Sequence, residues 1–134
     1  MNARKLLPLL ILPLIFAAGC TTASLMNIVD RPVAIKVDGS QWSAEEVQAA
    51  IISACRNRGW IPQLAGESQV NCSISLRGRP YAEVEIPFSA TRFSIIHSTS
   101  QGLDYDPSRQ TIHRNFNRWI ANLALEVQRE LGKQ

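Results

Sequence analysis

The sequence predicts an α+β domain: one antiparallel sheet of about four to five strands with two helices packed on one face, in the order β-α-β-β-β-β-α. Three observations carry this prediction. Ser43 and Glu46 stand at capping-box spacing ahead of a helical pattern that stops at Gly59. Apolar and polar residues alternate through residues 69–77 and 81–88, a further strand is expected from Arg92 to Ser98, and the links are too short for a parallel crossover. Finally, Ile112, Phe116, Trp119, Ile120, Leu123, Val127 and Leu131 recur at steps of three and four, which makes one apolar stripe on a long helix.

Residues 1–19 have the layout of a secretory leader. Arg4 and Lys5 precede an apolar run from Leu6 to Ala18, and small residues close the stretch. The closing residues Ala17-Ala18-Gly19-Cys20 resemble the lipobox of bacterial lipoproteins, with Ala17 where Leu is commonest. The resemblance implies cleavage between Gly19 and Cys20 and acylation of Cys20, and Thr21 in place of Asp implies sorting to the outer membrane. Two other readings are a spanning helix and an ordinary cleaved leader that leaves Cys20 a plain thiol. The first conflicts with Pro8, Pro13 and a run shorter than the roughly 20 apolar residues a span needs.

Residues 20–31 show no periodicity and read as a lipidated tether, with residues 32–134 as a single periplasmic domain. Val33, Ile35 and Val37 alternate with Ala34 and Lys36, so the first strand is expected there, ended by Asp38-Gly39. Trp42 and Val47 sit where a hydrophobic staple brackets the start of the first helix, which is expected to run to about Arg58. The stretch Trp60–Leu64 is expected to be extended, with Pro62 confining it to an edge. In residues 69–77, Val70, Cys72, Ile74 and Leu76 face inward; in 81–88, Ala82, Val84, Ile86 and Phe88 do. A further strand is expected from Arg92 to Ser98, then a polar loop to Gln110, then a helix from about Thr111 to Leu131.

Removal of residues 1–19 from the 134 leaves 115, enough for one domain around one core. Arg4 and Lys5 would leave with the leader, so the mature chain carries twelve basic residues against eleven acidic ones. Its surface is nearly balanced in total charge, and nucleic acid is not an expected partner. Setting Cys20 aside for lipid leaves Cys55 and Cys72, both expected to face the core. In an oxidising compartment they are expected to pair, with two buried free thiols as the alternative.

No pattern in the sequence assembles a catalytic or cofactor site. His97 shares a strand face with Phe93 and Ile95 and is expected to be a core or edge histidine; His113 opens the last helix. Neither has a second ligand at metal spacing, and no metal or cofactor is expected. Asp104 and Asp106 are expected to serve a turn. Glu83 and Glu85 lie two apart on a strand, both facing water, where acid–base chemistry has no reason to develop. Two surfaces remain as candidate binding faces: Arg77, Tyr81, Glu83 and Glu85 on the outer sheet face, and Arg114, Asn117 and Arg118 on the last helix. The competing reading of both is plain solvation.

Arg58-Gly59-Trp60, Ile86-Pro87-Phe88 with Phe93-Ser94-Ile95, and the string from Ile112 to Ile120 together resemble a group of small bacterial lipoproteins of unknown function. That resemblance implies the anchor and the α+β order and brings no catalytic residue. The expected function is a lipid-anchored, non-enzymatic binding or accessory module facing the periplasm. It would be held to the membrane by N-terminal acyl chains and open to an envelope protein partner. The alternatives are a small envelope hydrolase and a tethered binder of a soluble ligand or inhibitor.

Overall fold

A computed structural model describes residues 20–77 and 79–133. The expected leader, including Gly19 of the cut site, lies outside them. The fold is α+β, as the sequence predicts. A five-stranded antiparallel sheet has the order β2-β6-β5-β4-β3, built from Ile28–Pro32, Arg92–Gln101, Tyr81–Pro87, Gln69–Ser75 and Ile61–Leu64 respectively. A second, two-stranded sheet pairs β1 (Thr22–Ser24) with β7 (Thr111–His113). The helices are α1 (Ala44–Asn57) and α2 (Arg114–Leu131).

Local signals account for α1. The Ser43 hydroxyl accepts from the Glu46 N–H at 3.1 Å, and the Glu46 carboxylate accepts from the Ser43 N–H at 2.8 Å. Trp42 and Val47, the expected staple, are both buried. Gly59 takes a positive φ of 79° and turns the chain toward β3. Val47, Ile51 and Cys55 then meet Val70, Cys72 and Val84 in a core closed on its other side by Phe116, Ile120, Leu123 and Val127. The Cys55–Cys72 disulfide forms as predicted and staples α1 to β4 with a Cα–Cα distance of 6.6 Å.

The structure corrects the N-terminal part of the sequence reading. The first strand of the main sheet is Ile28–Pro32, not residues 33–37. Pro32 pairs with Arg92 and the Val33 N–H reaches the Thr91 carbonyl, which is where the partner strand begins. Beyond that point no backbone remains to pair with. The chain therefore turns, with Ser40 and Lys36 bonded across the turn, and Ile35 and Val37 stand exposed despite their alternation. Residues 20–31, expected as a loose tether, instead supply β1 and most of β2.

Smaller differences follow from the sheet as well. β4 stops at Ser75, so Leu76 is exposed and Arg77 sits in a left-handed turn instead of on the strand. β6 runs on to Gln101, three residues past its expected end, and Thr111–His113 is strand before α2 begins. Between the Val84–His97 and Glu83–Thr99 pairs, β6 contains one extra residue, Ser98. This bulge resets the alternation, and Ser100, paired with Ala82, is brought onto the same face as His97.

Candidate functional site

Three places carry side chains with chemical potential: the N-terminal cysteine, the outer sheet face, and the inner corner around His97. Cys20 is exposed, and it is the free cysteine among the described residues. Its position is fixed by its neighbours. The Thr21 carbonyl accepts from the Arg114 N–H at 2.9 Å, and Thr22 pairs with His113. The thiol thus lies beside the first turn of α2, one residue from ordered strand, with its sulfur 3.6 Å from the Thr22 hydroxyl.

Across the outer face, the register aligns Asn71 with Glu85 and Ile96, Ser73 with Glu83 and Thr99, and Ser75 with Tyr81 and Gln101. The result is a surface of hydroxyls, amides and carboxylates with Ile96 among them. The Tyr81 hydroxyl donates to Glu83 at 3.0 Å, and this bond, aided by burial and the carboxylate charge, raises the phenol above its ordinary value. Glu85 is exposed. Arg77 stands off this face in its turn, so the four sheet-face candidates do not form one cluster.

The helix candidates also separate. Arg114 and Arg118 are exposed, one helical turn apart, and among the described residues neither is ion-paired. Asn117 has a structural task. Its carbonyl oxygen accepts from the Met26 N–H at 2.9 Å and its amide donates to the Ser24 carbonyl at 2.8 Å. It clamps the link between β1 and β2 onto α2 and is not available as a surface ligand. The His113 ring caps α2, its Nδ1 accepting from the Asn115 N–H at 3.2 Å.

At the inner corner, His97 packs 4.3 Å from the Tyr105 ring and edge-on to Phe116 at 5.3 Å, centroid to centroid. Burial lowers its pKa, which favours the neutral imidazole. Its Nε2 lies 2.9 Å from the Ser100 hydroxyl. A neutral imidazole on a serine hydroxyl is the first half of a nucleophile–base pair, but a working triad also needs a third group to orient the base. Here the backbone N–H of His97 is held by Asn27 at 2.9 Å, and the tilted Tyr105 ring and edge-on Phe116 ring flank the imidazole. Among the described residues no group of three His, Cys, Asp or Glu side chains is placed to hold a metal ion. Asp106 accepts from the N–H groups of Ser108 and Arg109 and so shapes its own turn.

Two further features escaped the sequence reading. Glu126 is only 5% exposed, bound by Arg129 at 3.1 Å, Arg58 at 3.5 Å and the Asn57 amide at 3.2 Å. Its place one helical turn beyond Leu123, on the apolar stripe, was the available signal. A groove of about 350 Å³ also opens between the residue 34–37 segment and the C-terminal end of α2, with Trp42 and Leu131 in its wall. No helix among the described residues is long and apolar enough to cross a membrane. Comparison with known proteins returned no match to a family model, to a curated protein or to a solved structure.

Proposed function

We propose that this chain is a lipid-anchored lipoprotein of the cell envelope, held by acyl chains on Cys20, whose domain faces the periplasm as a non-enzymatic binding or accessory module. The observation that supports it most directly is the division of labour among the three cysteines. Cys55 and Cys72 are joined to each other, which suits an oxidising compartment, while Cys20 stands exposed at the start of the described residues. Anchoring through one modified thiol is adequate once two or more chains are attached, since each buried methylene contributes about 0.8 kcal/mol. Thr21 at the following position favours the outer membrane. The polar sheet face offers a partner many hydrogen-bonding groups in a fixed register, which fits recognition of an envelope component better than turnover of one.

Intact mass measurement of protein extracted from membranes tests the anchor. The expected product begins at Cys20 and carries two or three acyl chains, and Cys20→Ala abolishes the modification. A mature chain that starts with an unmodified residue and washes from membranes ends this reading. The His97–Ser100 pair motivates the rival, a small envelope hydrolase. A fluorophosphonate probe separates the two: no labelling is expected, and covalent labelling lost in Ser100→Ala would transfer the function to that pair.

A further inference from the structure

We infer that the domain does not swing on its anchor but sits on the membrane in one orientation, with a basic rim around Cys20 laid on anionic lipid headgroups. The inference rests on the lipid-anchor reading and adds to it the face that meets the bilayer. Two independent observations carry it.

The first is the absence of slack. A tether of a dozen residues would let the domain drift far from the surface, since each extended residue spans about 3.5 Å. Instead the Thr21 carbonyl is bonded to the Arg114 N–H and Thr22–Ser24 are paired to β7. Roughly one residue separates the acylated thiol from ordered structure. That holds the start of α2 beside the anchor, and headgroup charge acts over a Debye length of about 8 Å at physiological ionic strength.

The second is where the charges lie. A continuous chain of contacts defines the rim: the His113 N–H donates to the Leu103 carbonyl at 2.7 Å, and Gln101 at the end of β6 pairs with Tyr81, next to the β4–β5 turn. Arg77 and Arg79 flank that turn, and Arg114 and Arg118 follow His113 on α2. All four are exposed, and among the described residues none has a carboxylate partner. The acids of this rim are Asp104 and Asp106, and Asp106 is engaged by Arg109 at 3.8 Å. The opposite end, around the start of α1 and the β3–β4 turn, carries Asp38, Glu45, Glu46 and Glu67 against Lys36, which is paired to Glu46, and Arg92. A chain almost neutral in total is therefore polarised, and its basic pole is the one that holds the anchor. An anionic bilayer attracts such a pole by about fivefold in surface affinity for each arginine near it.

Amide hydrogen exchange on the acylated full-length product, reconstituted in vesicles, tests the orientation. In vesicles containing phosphatidylglycerol, residues 76–80 and 102–110 should exchange about fivefold more slowly than in pure phosphatidylcholine. Residues 36–41 and 88–91, at the other end, should not change. The difference should vanish in 0.5 M salt, about the effect expected from a shortened screening length. It should also vanish in the variant Arg77→Gln/Arg79→Gln/Arg114→Gln/Arg118→Gln, but persist when Arg31, Arg92, Arg129 and Lys133 are changed to Gln. Equal exchange in both vesicles, slowing at the opposite end, or loss of the effect in the second variant would each overturn the orientation. Should mass analysis show no acyl chain, the anchor reading fails alone. The basic rim is then judged by the same exchange pattern with phosphatidylglycerol vesicles in excess.

Discussion

Helix α1 and the N-terminal strands are fastened to the same body of sheet and α2, yet by different means. α1 is held by buried Val47, Ile51 and Ala54, by its own capping box and by a covalent bond to β4. The N-terminal strands are held by backbone pairing, β1 to β7 and β2 to β6, and by polar side chains that bridge distant parts of the chain. Asn117 grips the backbone at Ser24 and Met26, Asn27 grips His97, and the Ser94 hydroxyl accepts from the Asp30 N–H. The first attachment is covalent and apolar, and the second is backbone pairing reinforced by a few polar side chains. They should therefore fail differently.

The largest effect is expected at α1. Removing the disulfide with Cys55→Ala/Cys72→Ala releases a loop closed across a sequence separation of 17 and should cost about 3 kcal/mol in chemical denaturation. The unfolding should remain a single transition, because the buried face still holds the helix. A loss below about 1 kcal/mol would show that apolar packing alone secures α1.

Asn117→Ala is the matching break on the other side. Two backbone groups lose their partners, and the cost should be about 2 kcal/mol. Here the damage should be local: exchange at the Met26 amide accelerates while Ile51 and Val84 stay protected. If Met26 exchanges as before, the clamp is not what holds β1 and β2. Next in size is Ser43→Ala, which removes the hydroxyl half of the capping box and should lower stability by about 1 kcal/mol without opening the N-terminal strands.

The smallest effect joins the two attachments at His97, whose backbone is held by Asn27 and whose ring lies under α2. Burial depresses its pKa in the folded chain below the ordinary 6.5. The unfolded chain therefore takes up a proton first as pH falls. The stability that neutral His97 contributes is complete above pH 6.5 and is lost as pH falls from there through the depressed folded value. Thermal melting from pH 7.5 down to pH 5 should show this decline, roughly the range in which histidine titrates, and His97→Gln should flatten it. An unchanged slope in that variant would remove His97 as the cause.

The same contrast explains what was legible in advance. The cap, staple, stop glycine and cysteine pair of α1 are local or face-determined signals, and the structure shows each of them. The outer rows of β4 and β5 were legible for the same reason, because alternation assigns Glu83 and Glu85 to one face. Asn117 was not legible as a clamp. An exposed-looking amide on a helix acquires that task only when residues 91 and 93 positions away are laid beside it. Ser100 met His97 only because the bulge at Ser98 reset the strand's alternation. Likewise, the basic rim is invisible in a net charge near zero, since it is assembled from a hairpin turn and a helix start distant in the chain.

Two runs near the N-terminus show where the division falls. The sequence by itself determined which residues prefer extended backbone, which faces are apolar, and where α1 begins and ends, because these depend on neighbours within a turn or two. The start of α2, expected at Thr111, moved to Arg114 because Thr111–His113 pairs with β1. The sequence marked residues 33–37 as the better strand. Only the tertiary structure decided that Ile28–Pro32 would be the one to pair, because a strand needs a partner's backbone opposite it, and β6 supplies that backbone only from Arg92 onward. A run with the right alternation and nothing beside it has no ladder to join, so Ile35 and Val37 remain outside the sheet.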